Sequence, residues 1–239
     1  MVFLKRRSGI SDFGNGAPQR MLPWLRAIRQ QISTCKPKRQ DMPELLVPKS
    51  TNISLPWKNG RGVTDEVFIQ PATASRDAFE LRVSSAPIAG RDMFSGYPGV
   101  DRWITVIEGA GLTLDFGDHS ASLNPFRPYR FDSSLMPVGC PMGSAVRVVN
   151  VMAAHGFWTL GKAEVCQDKT TLSMGVGVQA VVFSITGQWR IASPSTEETR
   201  LAPRDMALLW DDDFIISPVD DDDADAKVLV VPMKRAWSA

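Results

Sequence analysis

The stretch Ile104-Thr-Val-Ile-Glu-Gly-Ala-Gly-Leu-Thr-Leu114 carries the strongest fold signal in the chain, because Val181-Val-Phe-Ser-Ile-Thr-Gly-Gln-Trp-Arg-Ile191 repeats its pattern. Each stretch is an apolar run, a glycine turn and a second apolar run, and each is followed by a Leu-x-Pro motif and another short apolar run. The turn glycines Gly111 and Gly187 lie 76 residues apart, and the prolines of the two Leu-x-Pro motifs lie 78 apart. This spacing predicts two copies of one β unit.

Around this repeat, the chain from Met42 onward alternates short β-type runs with turns rich in Gly, Pro, Asn and Asp. The predicted strands are Val63–Ile69, Phe79–Ala86, Trp103–Ile107, Gly111–Phe116, Ala145–Met152, Val178–Ile185, Trp189–Ala192, Met206–Trp210 and Val228–Pro232. No segment after residue 42 keeps a helical period, so the sequence predicts an all-β protein. The repeated unit is the core of a cupin-like double-stranded β-barrel. Two copies predict a bicupin, with one barrel in residues 42–157 and another in residues 158–239.

Length and composition are those of an ordinary globular protein. The chain has 239 residues, of which 44% are hydrophobic and 22% are charged. No apolar run approaches the ~18 residues of a membrane-spanning helix. The first residues also lack the apolar stretch of a secretory signal. We therefore expect a cytoplasmic protein that makes no contact with a membrane.

Residues 1–41 differ from the rest of the chain in charge. They carry nine Lys or Arg and two Asp, whereas acidic residues are in excess after them. A basic arm can bind nucleic acid or an anionic surface. This segment lacks the aromatic interleaving and the helix-turn-helix pattern of nucleic-acid readers. We predict a disordered extension, or an upstream start with Met42 as the natural beginning, and no nucleic-acid partner for the core.

The chain is poor in metal ligands. Its three cysteines, Cys35, Cys140 and Cys166, form no C-x-x-C pair, which argues against a disulfide framework and a structural zinc site. Its two histidines, His119 and His155, form no His-x-His pattern, whereas a cupin metal site needs two or three imidazoles with a carboxylate. We therefore expect neither a metal nor a cofactor.

Polar side chains gather in the first of the two predicted barrels. The candidate ligand-binding residues are Lys58, Asn59, Arg82, Ser84, Arg102 and Glu108. Arg82 and Ser84 are two residues apart on a predicted strand, so they share one face. The glycine-containing turn at residues 93–102 delivers Arg102 at the start of the next strand, which Glu108 closes. The first two candidates come from a Pro-Trp-Lys-Asn-Gly-x-Gly segment, whose glycines permit a tight turn.

These residues resemble those of the HutD/Ves family of small bicupin proteins. The matching segments are Pro56-Trp57-Lys58-Asn59-Gly60, Gly62-Val63-Thr64, Leu81-Arg82-Val83-Ser84, Phe94-Ser95, Pro98-Gly99-Val100-Asp101-Arg102, Glu108-Gly109, Phe131 and Asn150-Val151-Met152. Their order and spacing agree across residues 45–155, and residues 201–210 fit more loosely. Arg61 departs from the family pattern, which has three consecutive glycines after the asparagine.

The resemblance implies a bicupin without a recognised catalytic metal. One branch of the family is associated with histidine degradation, where it resembles a small-ligand-binding or regulatory protein, and the other with stress response. Carried over by this resemblance, the six candidate residues are the family's polar positions. Formylglutamate and formiminoglutamate, which arise in histidine breakdown, are the anionic metabolites that we expect as ligands.

The residues themselves leave alternatives open. Arginines turned toward a barrel interior need anionic partners, because an unpaired buried charge costs several kcal/mol. Those partners are either internal carboxylates, with Glu66, Glu80, Asp101 and Glu108 as candidates, or a small carboxylate ligand bound by the arginine forks. We favour a non-enzymatic binding protein. A metal-free isomerase or hydrolase that uses Lys58 or Glu108 as acid or base is the alternative, an interaction scaffold is a third hypothesis, and a homodimer is a further expectation.

Overall fold

The part of the chain that the structure describes is built mainly from antiparallel strands. A computed structural model describes residues 44–57 and 62–236, which form twenty strands and two 3-10 helices. The helices, Lys49–Thr51 and Ser133–Leu135, are three residues long. These elements confirm the predicted all-β class. Strands form here because short runs rich in β-formers are separated by turn residues along the described chain.

The first eleven described strands run from residue 44 to residue 154. They are β1 (Glu44–Val47), β2 (Ile53–Pro56), β3 (Val63–Gln70), β4 (Leu81–Ile88), β5 (Asp92–Met93), β6 (Val100–Glu108), β7 (Leu112–Asp115), β8 (Ser120–Leu123), β9 (Tyr129–Asp132), β10 (Val138–Pro141) and β11 (Val146–Ala154). Ten of them form a six-stranded sheet, ordered β2-β3-β4-β11-β6-β9, and a four-stranded sheet, ordered β5-β10-β7-β8. We call these sheets the first sheet pair.

The remaining strands form a second sheet pair. They are β12 (Trp158–Leu160), β13 (Glu164–Cys166), β14 (Thr170–Ser173), β15 (Val178–Thr186), β16 (Trp189–Ser193), β17 (Thr196–Leu201), β18 (Met206–Trp210), β19 (Asp213–Pro218) and β20 (Lys227–Arg235). The four-stranded sheet is ordered β14-β19-β16-β17. The six-stranded sheet is ordered β1-β18-β15-β20-β12, with β13 also on β20. The first strand, β1, therefore belongs to the second sheet pair, where it lies beside β18.

The two sheet pairs repeat one strand pairing. In the first pair β6 lies between β9 and β11, and in the second β15 lies between β18 and β20. The register against β11 skips Ile107, and the register against β20 skips Ile185, so each long strand has a bulge near its end. The strand that bears residues 103–107 thus corresponds to the strand that bears residues 181–185, as the sequence repeat predicts.

The turn after each of these strands contains a glycine, and the structure changes which two glycines correspond in the repeat. Gly109 and Gly187 both have left-handed backbones, with φ of 93° and 71°, and lie 78 residues apart. A Cβ on Gly109 would lie 2.8 Å from Val146 Cγ1, and one on Gly187 would lie 2.6 Å from Ala226 Cβ. Both positions therefore require glycine. The counterpart of Gly187 is Gly109, and the predicted pairing with Gly111 is wrong.

Hydrophobic packing separates the two faces of the six-stranded sheets. A large core shared by both sheet pairs takes side chains from both six-stranded sheets, such as Val83 and Val181. Each pair also has a core of its own. Because side chains alternate along a strand, Leu81 and Val83 of β4 enter the shared core. Arg82 and Ser84 face the interior of the first sheet pair instead.

Removal of residues 1–41, which lie outside the described residues, should leave the fold intact. The first described strand begins at Glu44 and pairs over four residues with β18. We expect a chain that starts at Met42 to melt within about 4 °C of the full chain, a shift that corresponds to about 1 kcal/mol. A chain that starts at Pro48 is the matched control. It should melt at a lower temperature, because it loses β1 and the contacts of Leu45 and Val47 with the shared core. A larger drop for the first truncation, measured by circular dichroism, would contradict the prediction.

Candidate functional site

A cavity lies inside the first sheet pair. Its volume is about 190 Å³, which is the space of about six water molecules. Three neighbouring strands supply its floor. The polar side chains there are Arg82 and Ser84 from β4, Asn150 from β11 and Arg102 from β6, and the apolar Met152 of β11 lies beside them. These side chains meet because the strands are adjacent in the sheet and because alternate residues share a face.

The Trp57 side chain forms part of the cavity wall. Its indole Nε1 donates a hydrogen bond of 2.9 Å to Thr64 Oγ1, and its backbone N–H donates one of 2.9 Å to the Gly62 carbonyl. A Cβ on Gly62 would lie 2.9 Å from the indole ring. Glycine at residue 62 therefore lets the ring pack directly on the backbone, which gives the sequence motif around Trp57 a physical reason.

Arg82 is paired inside the protein. Its residue is 4% exposed, its Nε lies 3.0 Å from Glu66 Oε2, and its Nη1 donates to the Tyr97 hydroxyl at 3.2 Å. Glu66 is one of the carboxylates that the sequence analysis names as internal partners. For Arg82, the internal salt bridge is therefore the observed arrangement.

Arg102 is different, because it has no carboxylate partner among the described residues. It is 3% exposed, and its Nη2 donates to the Ser95 carbonyl at 2.9 Å and to Ser133 Oγ at 2.6 Å. Its Nε is buried without a hydrogen bond to any described residue. Burial lowers the pKa of Arg102 to about 10, with a smaller lowering from the nearby charge of Arg82. The guanidinium is still charged at neutral pH and lacks a counter-ion among these residues.

Three aromatic rings surround the Arg102 guanidinium. Its Cζ lies 5.6 Å from the ring centroids of Phe94 and Tyr97, and 5.3 Å from that of Phe131. Phe94 can approach because residue 139 is glycine, where a Cβ would lie 2.6 Å from the ring. Contacts with π faces partly compensate for lost water, but they do not neutralise the charge.

The second sheet pair shows that this polar floor is not required by the topology. Strand register places Ala180 where Arg102 stands in the first pair, and Val230 where Asn150 stands. Ala180 and Val230 are both buried. The same strand arrangement thus closes over apolar side chains in one copy and over an arginine and an asparagine in the other.

Glu108 lies apart from Arg82, Ser84 and Arg102. Its Oε2 lies 3.4 Å from Arg147 Nε, and its Oε1 accepts a hydrogen bond from Arg204 Nη2. The bulge at Ile107 is the reason: it shifts the alternation of β6, so that Glu108 leaves the face that carries Arg102. The predicted grouping of Glu108 with those three residues is therefore wrong.

Of the other predicted residues, Lys58 and Asn59 lie outside the described part of the chain. Tyr97 and Asn150, which the site prediction does not include, both line the cavity. Asn150 belongs to a segment that the family resemblance rests on. Tyr97 lies in the turn that precedes Arg102, so its position in that turn is the signal that could have found it.

Among residues 44–57 and 62–236, no group of three or more His, Cys, Asp or Glu side chains is placed to hold a metal ion. No helix in the same residues is long and apolar enough to cross a membrane.

Comparison with known sequences finds one family. The HutD family profile matches residues 49–224. The chain is also 32% identical to protein Ves of Citrobacter koseri over 159 residues, which make up 65% of this chain and 77% of Ves.

Comparison with solved structures finds the same strand arrangement in proteins of low sequence identity. A conserved protein of unknown function from Pseudomonas aeruginosa PAO1 has a TM-score of 0.69 and 22% identity, over 80% of this chain and 98% of its own. HutD from Pseudomonas fluorescens SBW25, in a formate condition, has a TM-score of 0.65 and 20% identity, over 81% and 100%. Bacterial pirin YhhW of Escherichia coli has a TM-score of 0.56 and 9% identity, over 79% and 98%. Such likeness shows the fold alone, which is all-β and cupin-like.

Proposed function

This chain belongs to the HutD family, and from that premise we propose that it binds a small anionic metabolite, as a binding or regulatory protein associated with histidine utilisation. The cavity with Arg102 at its floor is the proposed site, and the two sheet pairs are two cupin barrels in one chain. The observation that carries the proposal is the buried Arg102 guanidinium, which has no carboxylate partner among the described residues.

The physical argument concerns the cost of that charge. An isolated buried cation is expensive, by several kcal/mol, and two hydrogen bonds and three ring faces offset only part of this cost. A ligand carboxylate beside Arg102 supplies the missing counter-ion and accepts charge-assisted hydrogen bonds. Ser84 and Asn150 stand on the same floor and offer a hydroxyl and an amide for further polar contacts.

The remaining lining favours a ligand with a second polar group. Arg76, Asp77 and Asp92 also line the cavity. A ligand carboxylate near Arg102 fits this arrangement when a second polar group pairs with Arg76 as a carboxylate, or donates an N–H hydrogen bond to Asp77 or Asp92. Formylglutamate and formiminoglutamate have such groups, and the family association with histidine breakdown makes them our first choices.

An enzymatic role for Glu108 in this cavity has no structural basis. Its carboxylate pairs with Arg147 and Arg204 in a different cavity, so it cannot act there as acid or base. The binding function is therefore the proposal that the described residues support best.

Calorimetric titration of the metal-stripped full chain tests this function. The titrants are formylglutamate, formiminoglutamate, urocanate and succinate. We expect at least one of them to bind with a Kd between micromolar and millimolar, which corresponds to about −8 to −4 kcal/mol. An uncharged amide analogue of the best ligand is the control and should bind much more weakly, since it offers no negative charge to Arg102. No binding by any of the four anions would contradict the proposal.

A further inference from the structure

A second cavity lies where the two sheet pairs meet. Its volume is also about 190 Å³. The charged residues that line it are Lys49, Asp65, Glu108, Arg147 and Arg204. Ser85 lines it too, on the opposite face of β4 from Ser84. Among these described lining residues, three cations face two carboxylates, so the lining carries a formal excess of one positive charge.

The Glu108 carboxylate occupies the position that an anion would take here. It touches Arg147 with one oxygen and Arg204 with the other. The Glu108 side chain is 55% exposed, whereas that of Arg204 is 18% exposed. The carboxylate thus reaches in from solvent toward cations that are more enclosed. An ion pair with such an exposed partner is weak, so Glu108 can rotate out when a better anion enters.

Arg147 and Arg204 depend on Glu108 to different degrees. Arg147 Nη1 also lies 3.3 Å from Asp65 Oδ2, and Ser54 Oγ donates a hydrogen bond of 2.6 Å to the other oxygen of Asp65. Glu108 is the carboxylate that bonds to Arg204 among the described residues. Burial lowers the pKa of Arg204 and the Glu108 charge raises it by less. The carboxylates present therefore do not fully compensate for burial of this guanidinium.

The internal repeat contains a comparison for Arg204. Phe126 occupies its place in the first sheet pair: both residues follow the proline of a Leu-x-Pro motif, with φ of 61° for Phe126 and 77° for Arg204. The Phe126 N–H donates to the Val106 carbonyl at 2.9 Å, and the Arg204 N–H donates to the Ser184 carbonyl at 2.8 Å. The two turns are therefore equivalent in backbone structure.

Their side chains make very different contacts with the opposite sheet pair. The Phe126 ring lies 5.1 Å from the Lys227 Nζ, and Lys227 is the register counterpart of Arg147. Glu108 has Thr186 as its counterpart. The first contact is thus a lysine ammonium group over an aromatic ring, whereas the second is a set of ion pairs in an open cavity. The topology alone does not demand the charges around Arg204.

We propose that this second cavity is a binding site for a phosphate group, held by Arg204 and Arg147 in place of the Glu108 carboxylate. Guanidinium forks from two directions suit a tetrahedral oxyanion, which offers acceptor oxygens on several sides. The group is either free phosphate or the phosphate of a small phosphomonoester, since the cavity has room for about six water molecules.

Calorimetry with inorganic phosphate on the full chain, at constant ionic strength, tests the site. We expect a millimolar Kd in the R102A variant, whose first cavity has lost the cation that would also attract phosphate, so that the titration reports the second cavity. Arg204→Asn should weaken binding about tenfold or more, the effect of a lost charge-assisted hydrogen bond. Asn is chosen because it tolerates the left-handed backbone at residue 204. Glu108→Gln should tighten binding several-fold, because it removes the competing carboxylate. A parallel titration with glycerol phosphate distinguishes the two sources of the group.

Three results would overturn this proposal. They are absence of phosphate binding by both the natural chain and Glu108→Gln, equal affinity in Arg204→Asn, and loss of binding in R102A. If Arg204→Asn does not fold, Glu108→Gln decides alone, because only displacement of the carboxylate by phosphate predicts a gain of affinity. An unchanged or weaker affinity in that variant would mean that the charges form a structural ion-pair network.

Discussion

Replacement of Arg102 with alanine should remove most of the anion affinity of the first cavity. The guanidinium uses its Nη2 for Ser95 and Ser133, and neither its Nε nor its Nη1 makes a hydrogen bond within the described residues. A charge-assisted hydrogen bond typically contributes about 1.5–3 kcal/mol. This range weakens the Kd by about one to two orders of magnitude. Calorimetry with the best carboxylate ligand, on the natural chain and on Arg102→Ala, measures the difference.

The matched control is Arg130→Ala. Arg130 lies on β9 beside the residues that surround Arg102, but its side chain is 40% exposed and pairs with Asp101. Its removal should leave ligand affinity unchanged. Equal ligand affinity in Arg102→Ala and the natural chain would defeat the assignment of Arg102.

The ligand-free protein should tolerate loss of the Arg102 charge. Arg102→Met keeps much of the side-chain volume and removes a buried charge, a change that is often neutral or stabilising. Two hydrogen bonds from the charged guanidinium are lost at the same time, which costs about 1.5–3 kcal/mol each. Removal of the buried charge, whose desolvation costs several kcal/mol, offsets much of this loss. We therefore expect the free energy of unfolding to stay within about 2 kcal/mol of that of the natural chain, measured by urea denaturation. A loss above about 4 kcal/mol would indicate a structural role instead.

Replacement of Glu66 with alanine should destabilise the protein strongly. Glu66 is the carboxylate partner of Arg82, and the Arg82 side chain is 4% and the Glu66 side chain 12% exposed. Removal of one partner of a buried ion pair leaves an uncompensated charge and costs about 3–5 kcal/mol. For a domain of this size, such a loss lowers the melting temperature by roughly 6–20 °C. Differential scanning calorimetry measures the shift.

Two controls separate this effect from a general loss of packing. The double variant Glu66→Leu with Arg82→Met replaces both charges by apolar groups and should recover most of the lost stability. Asp101→Ala breaks the more exposed pair with Arg130 and should cost about 1 kcal/mol or less. If Glu66→Ala were as mild as Asp101→Ala, the pair would not be a structural one.

The structure decides internal pairing for these two arginines, because Arg82 has a carboxylate partner and Arg102 has none among the described residues. Internal pairing and a ligand were alternatives for every buried cation, and neighbouring residues along the chain do not distinguish them. Arg82 lies beside Glu66 because β3 and β4 are paired, with Glu66 opposite Ser84 in the register. Arg102 lies one strand beyond β11, where the facing positions hold Met152 and Phe131. Which cation is paired is a property of strand order.

Features with a local cause could be predicted from the sequence. Side chains on a strand alternate with a period of two, so the common face of Arg82 and Ser84 follows from their spacing. A turn glycine is required by the backbone conformation at its own position. The two glycine turns and the strands around them can therefore be recognised in the sequence as a repeat. The family motif around Trp57 and Arg102 likewise depends on local residue types and spacing.

Features with a distant cause were decided only by the tertiary structure. The bulge at Ile107 exists through the pairing of β6 with β11, and it moves Glu108 from the first cavity to the second. The strand β1 leaves its neighbours in sequence and pairs with β18, more than 150 residues away. The rings around Arg102 come from two separate segments, the turn before β6 with Phe94 and Tyr97, and β9 with Phe131. The period of two predicts the face of its own strand on which a residue lies. The partners of that residue depend on which strands pair, and strand pairing is set by the burial of apolar surface over the whole chain.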